Sequence, residues 1–344
     1  MPVMLKDVAK EAGVSISTVS KVINKDPSIS DKTCQRVKEV MECLDYTPNT
    51  RARSFKRRST KNIAFLTALG KGEAYADPHM FEIICGANNA LTSKGYTMTL
   101  VDVSADERPG QTAKTVIHNQ GYDGMVVHGS AISSSAAALM VRGNFPHIVI
   151  GKPEFNSQVC WMDTNHVLAG DIAARHLAEC GARSIAFIGG GAHERISLDR
   201  LEGVRAAAKE LGLAMERHYT VYTDSSIEDS CSKTKAVLAA GPRPDALVCE
   251  NNTIAIGTLK AVSEMGLAMP RDLQLVVFNE YPYTPVMNPI PTVVNIDVFD
   301  LGAQAGAMLL KKIKNPALQV QSFTTLPELI IRGTTSDAYH RKQL

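Results

Sequence analysis

The sequence predicts an α/β protein in which a small N-terminal three-helix domain is joined to a larger body of two similar subdomains with parallel sheets. Apolar residues in the first 48 positions recur at helical spacing, with turn and cap residues between the runs. From residue 62 onward, short β-rich runs alternate with helical stretches, as parallel strands covered by helices require. The charge divides at the same place. Residues 1–61 hold 13 Lys+Arg against 7 Asp+Glu, and the rest of the 344-residue chain holds 24 against 28. A basic module on an acidic body is the charge pattern of nucleic-acid binding.

The elements follow in order. Leu5, Val8, Ala9 and Ala12 share one helical face. Gly13 stops that helix, because glycine takes a left-handed turn at no steric cost. Ser15 is placed to N-cap a second helix whose Val19, Val22 and Ile23 face inward. Ser30 caps a third, with Val37, Val40, Met41 and Leu44 as its apolar stripe and Pro48 just beyond its end. Helices joined by a tight glycine turn make a helix-turn-helix. The outer face of the second helix carries Ile16, Ser17, Thr18, Ser20, Lys21 and Asn24, with no acid. Such a face can enter a major groove: Lys21 can donate to guanine O6/N7, and Ile16 can touch a thymine methyl.

After this domain comes RARSFKRRST, where Arg51, Arg53, Lys56, Arg57 and Arg58 surround Phe55 without an acidic residue. An apolar wedge among phosphate-neutralising charges suits a minor groove, where such a side chain unstacks a base step.

The body opens with NIAFLT. Helices follow near 78–93, 111–119 and 134–142, alternating with YTMTLVDV, YDGMVVHG and HIVIG. A second series has helices near 166–180, 198–211, 227–240 and 253–265 between SIAFIGG, YTVYT, DALVCE and LQLVVF. KNIAF at 61–65 and RSIAF at 183–187 each open a series, which suggests two similar halves with a cleft between them.

Composition bounds the rest. At 44% hydrophobic and 21% charged the chain is ordinary globular protein. No apolar run approaches the ~18 residues of a membrane span, and MPVMLKDVAK turns charged at Lys6. The seven cysteines are scattered without C-x-x-C, which suits free thiols in a reducing cytosol. A cytoplasmic protein without metal or cofactor is expected. Catalysis finds no support: GGGAHE, Gly189 to Glu194, fails the dinucleotide pattern at Glu194, and no phosphate loop, nucleophile elbow or zinc-binding pair occurs.

The segment LKDVAKEAGVSISTVSKVIN, followed by ISDKT, LDYTPN and ARSF, resembles the N-terminal domain of the lactose/galactose-repressor family of bacterial transcription regulators. The two-part body resembles the periplasmic-binding-protein-like core of that family, so the resemblance covers essentially the whole chain. It implies an allosteric regulator, most often a repressor, that binds a palindromic operator in double-stranded DNA as a homodimer. Ile16, Ser17 and Lys21 would read bases, while Ser15, Thr18, Asn24 and Asn49 would hold phosphates. Ala52, Arg53 and Phe55 would belong to a hinge helix in the minor groove, with Phe standing where the family usually has Leu. The expected domains are 1–48, a hinge at 49–61 and a core at 62–335. One subdomain would hold 62–160 and 292–321, the other 161–291 and 322–335, with crossings near 160–163, 289–292 and 320–324. The chain ends soon after ELIIRG without a heptad tail, so a dimer rather than a tetramer is expected.

For the effector cleft the resemblance implies Arg200, His79, Met80, Asn251 and Asn279, with Trp161 at the first crossing as a further lining residue. Asn279 stands where the family commonly has Asp, and Ser225 where it often has an aromatic platform. Loss of one carboxylate favours an anionic ligand such as a sugar acid or phosphosugar, while Glu250 and Glu280 act against it. A DNA binder that answers to no small molecule is the other reading.

Overall fold

The computed structural model describes residues 5–23, 26, 28–44, 59–69, 78–119 and 121–335. The chain divides into two compact units, Met1–Lys61 and Asn62–Leu344.

The first unit holds α1 (Leu5–Glu11), α2 (Ile16–Ile23) and α3 (Asp31–Cys43). Its core is Val8, Ala9, Ala12, Val19, Val22 and Val37, with Ile23, Val40, Met41 and Leu44 packed around them. Gly13 has φ +62°, the left-handed turn that separates α1 from α2. Ser15 Oγ accepts from the Thr18 N–H at 3.1 Å, and Ser30 Oγ accepts from the Thr33 N–H at 3.4 Å. Both helix starts are thereby relieved of an orphan donor.

The second unit contains two six-stranded sheets. The first is built from β1 (Asn62–Thr67), β2 (Thr97–Asp102), β3 (Gly124–His128), β4 (His147–Ile150), β5 (Trp161–Thr164) and β11 (Gln321–Thr325). The second is built from β6 (Ile185–Gly189), β7 (Thr220–Tyr222), β8 (Ala246–Cys249), β9 (Gln274–Phe278), β10 (Thr292–Asn295) and β12 (Glu328–Ile330). Their orders are β11-β5-β4-β3-β1-β2 and β12-β10-β9-β8-β6-β7. The two are one topology used twice, and the echo of KNIAF in RSIAF marks equivalent strands, β1 and β6. Every pairing is parallel except β12 with β10.

Helices cover both faces. On the first sheet, α4 (Pro78–Thr92) and α11 (Val298–Lys314) take one face, and α5 (Gln111–His118) and α6 (Ser134–Arg142) the other. On the second sheet, α7 (His166–Glu179) and α8 (Arg195–Leu211) oppose α9 (Ile227–Ala239) and α10 (Asn252–Glu264). Inner strands are buried throughout, as strands covered on both faces must be.

The crossings between lobes lie one strand later than the sequence suggests. Trp161–Thr164 pairs with β4 and β11, so it belongs to the first sheet. Thr292–Asn295 pairs with β9 and so belongs to the second. Each lobe completes its fifth strand before the chain leaves it, because an unpaired fifth strand would strand a row of buried N–H and C=O groups. The third crossing likewise falls after Thr325, since β11 pairs with β5.

Candidate DNA-reading helix and effector cleft

In the first unit, α2 turns Val19 and Val22 into the core and leaves Ile16, Ser17 and Lys21 exposed. Ile16 is 53% exposed, an unusual state for a branched aliphatic residue and the state a thymine-methyl contact needs. Ser15 Oγ lies 2.7 Å from Ser17 Oγ and 2.8 Å from Thr18 Oγ1, so three hydroxyls cluster at the start of the helix. Lys21 Nζ reaches Ser28 Oγ at 3.5 Å. Asn24, Asn49, Ala52, Arg53 and Phe55 lie outside the described residues.

In the second unit, His79 sits at the start of α4, which follows β1, and Asn279 is the first residue after β9. Asn279 Nδ2 donates to His79 Nδ1 at 2.9 Å, and the His79 ring lies 4.5 Å from that of Tyr281. The carboxyl ends of strands from the two sheets therefore face each other, which is where open parallel sheets bind ligands. Asn279 is 5% exposed and has φ +66°, a region that Asn tolerates better than most residues. Its Oδ1 is buried with no hydrogen-bond partner among the described residues.

The second lobe's wall is built at the carboxyl ends of the paired strands β6 and β8, where the strand order of its sheet reverses. Arg200, on α8, is 4% exposed; its Nη1 donates to the Glu250 carbonyl at 2.7 Å, and its guanidinium lies 4.4 Å over the Phe278 ring. Glu250, just past β8, is 4% exposed. Its Oε2 accepts from the Gly190 N–H at 2.6 Å and from the buried Ser197 hydroxyl. Glu194, exposed just before α8, is close to it: a Cβ on Gly190 would stand 3.4 Å from the Oε2 of each. Partial burial and the Glu250 charge hold the Glu194 carboxyl above its ordinary range. Glu280 is paired with Arg332 at 2.7 Å.

Other residues expected at the cleft do different work. Asn251 Oδ1 accepts from the Ile254 N–H at 2.9 Å and caps α10. Met80 is buried, and its sulfur accepts the Thr67 hydroxyl at 2.8 Å. Trp161 does not border the cleft: it is at the amino end of β5, edge-on to Phe323 at 5.4 Å. At ~3.3 Å per residue this puts it ~10 Å from the strand's carboxyl end. Glu194, Ser197 and Tyr281 are not among the residues the sequence places at the cleft, and Glu250 enters there only as a nearby charge. A carboxylate ending the apolar run DALVCE was the available signal for Glu250.

A three-helix unit with an exposed polar reading face, followed by a doubled α/β body with a cleft, defines a DNA-binding regulator with a ligand-binding core. The comparisons agree. Residues 4–49 match the bacterial regulatory proteins, lacI family, and residues 174–335 match the periplasmic binding protein-like domain. The transcriptional repressor PurR of Erwinia tasmaniensis is 30% identical over 340 residues, covering 98% of both chains. The ribose operon repressor of Escherichia coli K12 is 29% identical over 331 residues, covering 96% of this chain and 99% of that one. A lac repressor dimer bound to operator and the anti-inducer ONPF shares the fold at a TM-score of 0.83 and 23% identity, covering 97% of this chain and 99% of that one. The chain belongs to the LacI family of bacterial transcription regulators.

Proposed function

We propose that this protein is a homodimeric repressor whose grip on a palindromic operator is switched by a carbohydrate-related small molecule bound between its two core lobes. It acts in the cytoplasm, where its DNA is. Ile16, Ser17 and Lys21 read base edges in the major groove, and Ser15, Thr18, Asn24 and Asn49 hold phosphates. Ala52, Arg53 and Phe55 form the hinge at the centre of the site, where two-fold symmetry brings a pair of wedges together. Effector contacts come from His79, Asn279, Glu250 and Glu194, with Arg200 braced beneath them. The relatives named above are repressors, and solved structures of similar fold include a regulator complexed with cellobiose and one with bound ribose.

The observation that carries the reading is the His79–Asn279 bond. A ligand entering the cleft must replace or reshape this direct side-chain bond between the start of α4 and the end of β9, so its binding is coupled to the lobe angle. The anionic ligand that Asn279 alone would favour is disfavoured by this wall, because Glu250 is buried facing Gly190 and Glu194 stands beside it. The test is selection of binding sites from random duplex DNA, followed by titration of the selected site with and without candidate sugars. A palindrome bound with steep salt dependence, and released or tightened by a sugar, supports the reading. A selected site that no metabolite affects would leave a constitutive DNA binder instead.

A further inference from the structure

We propose that the effector presents a protonated amine to the cleft, held between the carboxylates of Glu250 and Glu194. The inference rests on the cleft being the effector site. A Cβ built on Gly190 would stand 3.1 Å from Ser225 Oγ, 3.4 Å from Glu194 Oε2 and 3.4 Å from Glu250 Oε2, so three oxygen-bearing side chains converge on one backbone point. Glu250 Oε2 is occupied by the Gly190 N–H and the Ser197 hydroxyl. Its Oε1 accepts no hydrogen bond among the described residues. Asn279 Oδ1 is a second buried acceptor left without a donor among the described residues.

The demand of this wall is for donors and positive charge. Arg200 is engaged with the Glu250 carbonyl and the Phe278 ring, and Arg195 is paired with Asp199 at 2.8 Å. Two carboxylates set around one backbone point are relieved by a cation between them, and the low dielectric of a closed cleft amplifies that gain. A phosphate or carboxylate would meet both negative charges. A neutral hydroxyl has one proton and can satisfy one acceptor. An ammonium has three N–H donors and a full charge, enough for both carboxylates and one further oxygen. The matching ligand class is a hydroxyl-rich amine, such as an amino sugar.

Thermal unfolding and operator release of the full-length protein would be followed with D-glucosamine, D-galactosamine and D-mannosamine. Each would be set beside its neutral parent, the 6-phosphate of that parent, and its own N-acetyl derivative. At least one free amine should act at a concentration about tenfold or more below that of its parent and N-acetyl form, the loss expected for one charge-assisted hydrogen bond. E250Q and E194Q should each weaken that response, with far-UV circular dichroism confirming that the variants fold; E194Q, at an exposed position, guards against a folding defect in E250Q. The inference is overturned if a parent sugar or 6-phosphate acts as well as the amine, if both variants keep the amine response, or if no amine acts. Failure of the wild-type protein to bind any operator would instead overturn the regulatory reading on which the inference rests.

Discussion

Asn279 and His79 stand 200 positions apart in the chain and are joined by a 2.9 Å hydrogen bond from Nδ2 to Nδ1, which ties the end of β9 to the helix after β1. The Tyr281 ring lies against the same imidazole, tilted, at 4.5 Å. The contact is between lobes whose sheets are otherwise separate, so it weights the balance between open and closed forms. A hydrogen bond of this kind contributes about 0.5–1.5 kcal/mol net. His79→Ala should therefore shift that balance toward the open form by roughly twofold to twelvefold. Hydrogen exchange at residues 279–284 and 79–83 in the effector-free protein reports it, and unchanged protection there would show that the bond does not hold the lobes.

The wall that carries Arg200 depends on two glycines. A Cβ on Gly170 of α7 would collide with the Arg200 carbonyl, and one on Gly203 of α8 with the Val167 carbonyl. The two helices therefore touch backbone to backbone, and this close approach fixes where Ser197 and Arg200 stand. Gly203→Ala should force them apart at about 1–3 kcal/mol, the usual cost of overpacking. It should lower the melting temperature of the core by several degrees and weaken effector binding more than operator binding. A variant with unchanged stability would mean that the helices separate freely.

Much of this fold is legible in the sequence because it rests on local signals. Ser15, Ser30 and Gly13 announce the boundaries of α1 to α3, and the apolar runs of the body coincide with the inner strands β1, β3, β4, β6, β8 and β9. The crossings fall a strand later than the sequence suggests because β5, β10 and β11 are four, four and five residues long, and strands so short are fixed by their partners rather than by their own composition. The helix α11 was not anticipated, although its apolar face lies against α4 and completes the first lobe's core. In the cleft, chain position singled out Arg200, His79 and Asn279, of which the last two are joined by the hydrogen bond described above. It misjudged Trp161, because which end of a strand faces the cleft depends on strand direction within the sheet. Asn251 caps a helix start, a local use that competes with ligand binding and that its place before Asn252–Glu264 reveals only once the helix is defined.

His147 on β4 gives the core a definite response to acid. Its Nδ1–H donates to the Phe145 carbonyl at 2.6 Å, and its Nε2 accepts from the Cys160 N–H at 3.1 Å, so the neutral ring is fully used. Burial above all, with the Lys312 charge adding to it, pulls its pKa from 6.5 to about 4. The unfolded chain then binds the proton more tightly than the native one. Stability from this residue is complete above pH 6.5 and is lost as pH falls toward 4. His176, lowered to about 4 by burial, acts in the same sense. A nuclear magnetic resonance titration should place the His147 midpoint near 4, with the melting temperature declining over that same interval. A midpoint near the ordinary histidine value would show that the ring is solvated.

Phe55 offers a test of the hinge that needs no effector. If it wedges between base pairs, Phe55→Ala should weaken binding to the selected operator while leaving binding to unrelated duplex nearly unchanged, because unstacking is repaid only where the DNA is held at its centre. Phe55→Leu should recover most of the loss, since leucine is also an effective wedge. Fluorescence anisotropy on both duplexes separates the cases. Equal loss on specific and non-specific DNA would make Phe55 a passive linker residue.

Lys21 and Arg53 are both basic, but the geometry of α2 gives Lys21 a different task. It is exposed on the same face as Ile16 and Ser17, where a helix in the major groove meets base edges. Lys21→Ala should cost about 1–3 kcal/mol on the best operator and relax the preference at one symmetric position in each half-site. Arg53→Ala, by contrast, should weaken all duplexes alike and reduce the steepness of the salt dependence by about one phosphate contact. Affinity measured on operators altered one base pair at a time, at two salt concentrations, distinguishes a reader from a phosphate clamp. If Lys21→Ala lowers affinity uniformly and also flattens the salt dependence, the lysine holds backbone, and base reading on this helix falls to Ile16 and Ser17.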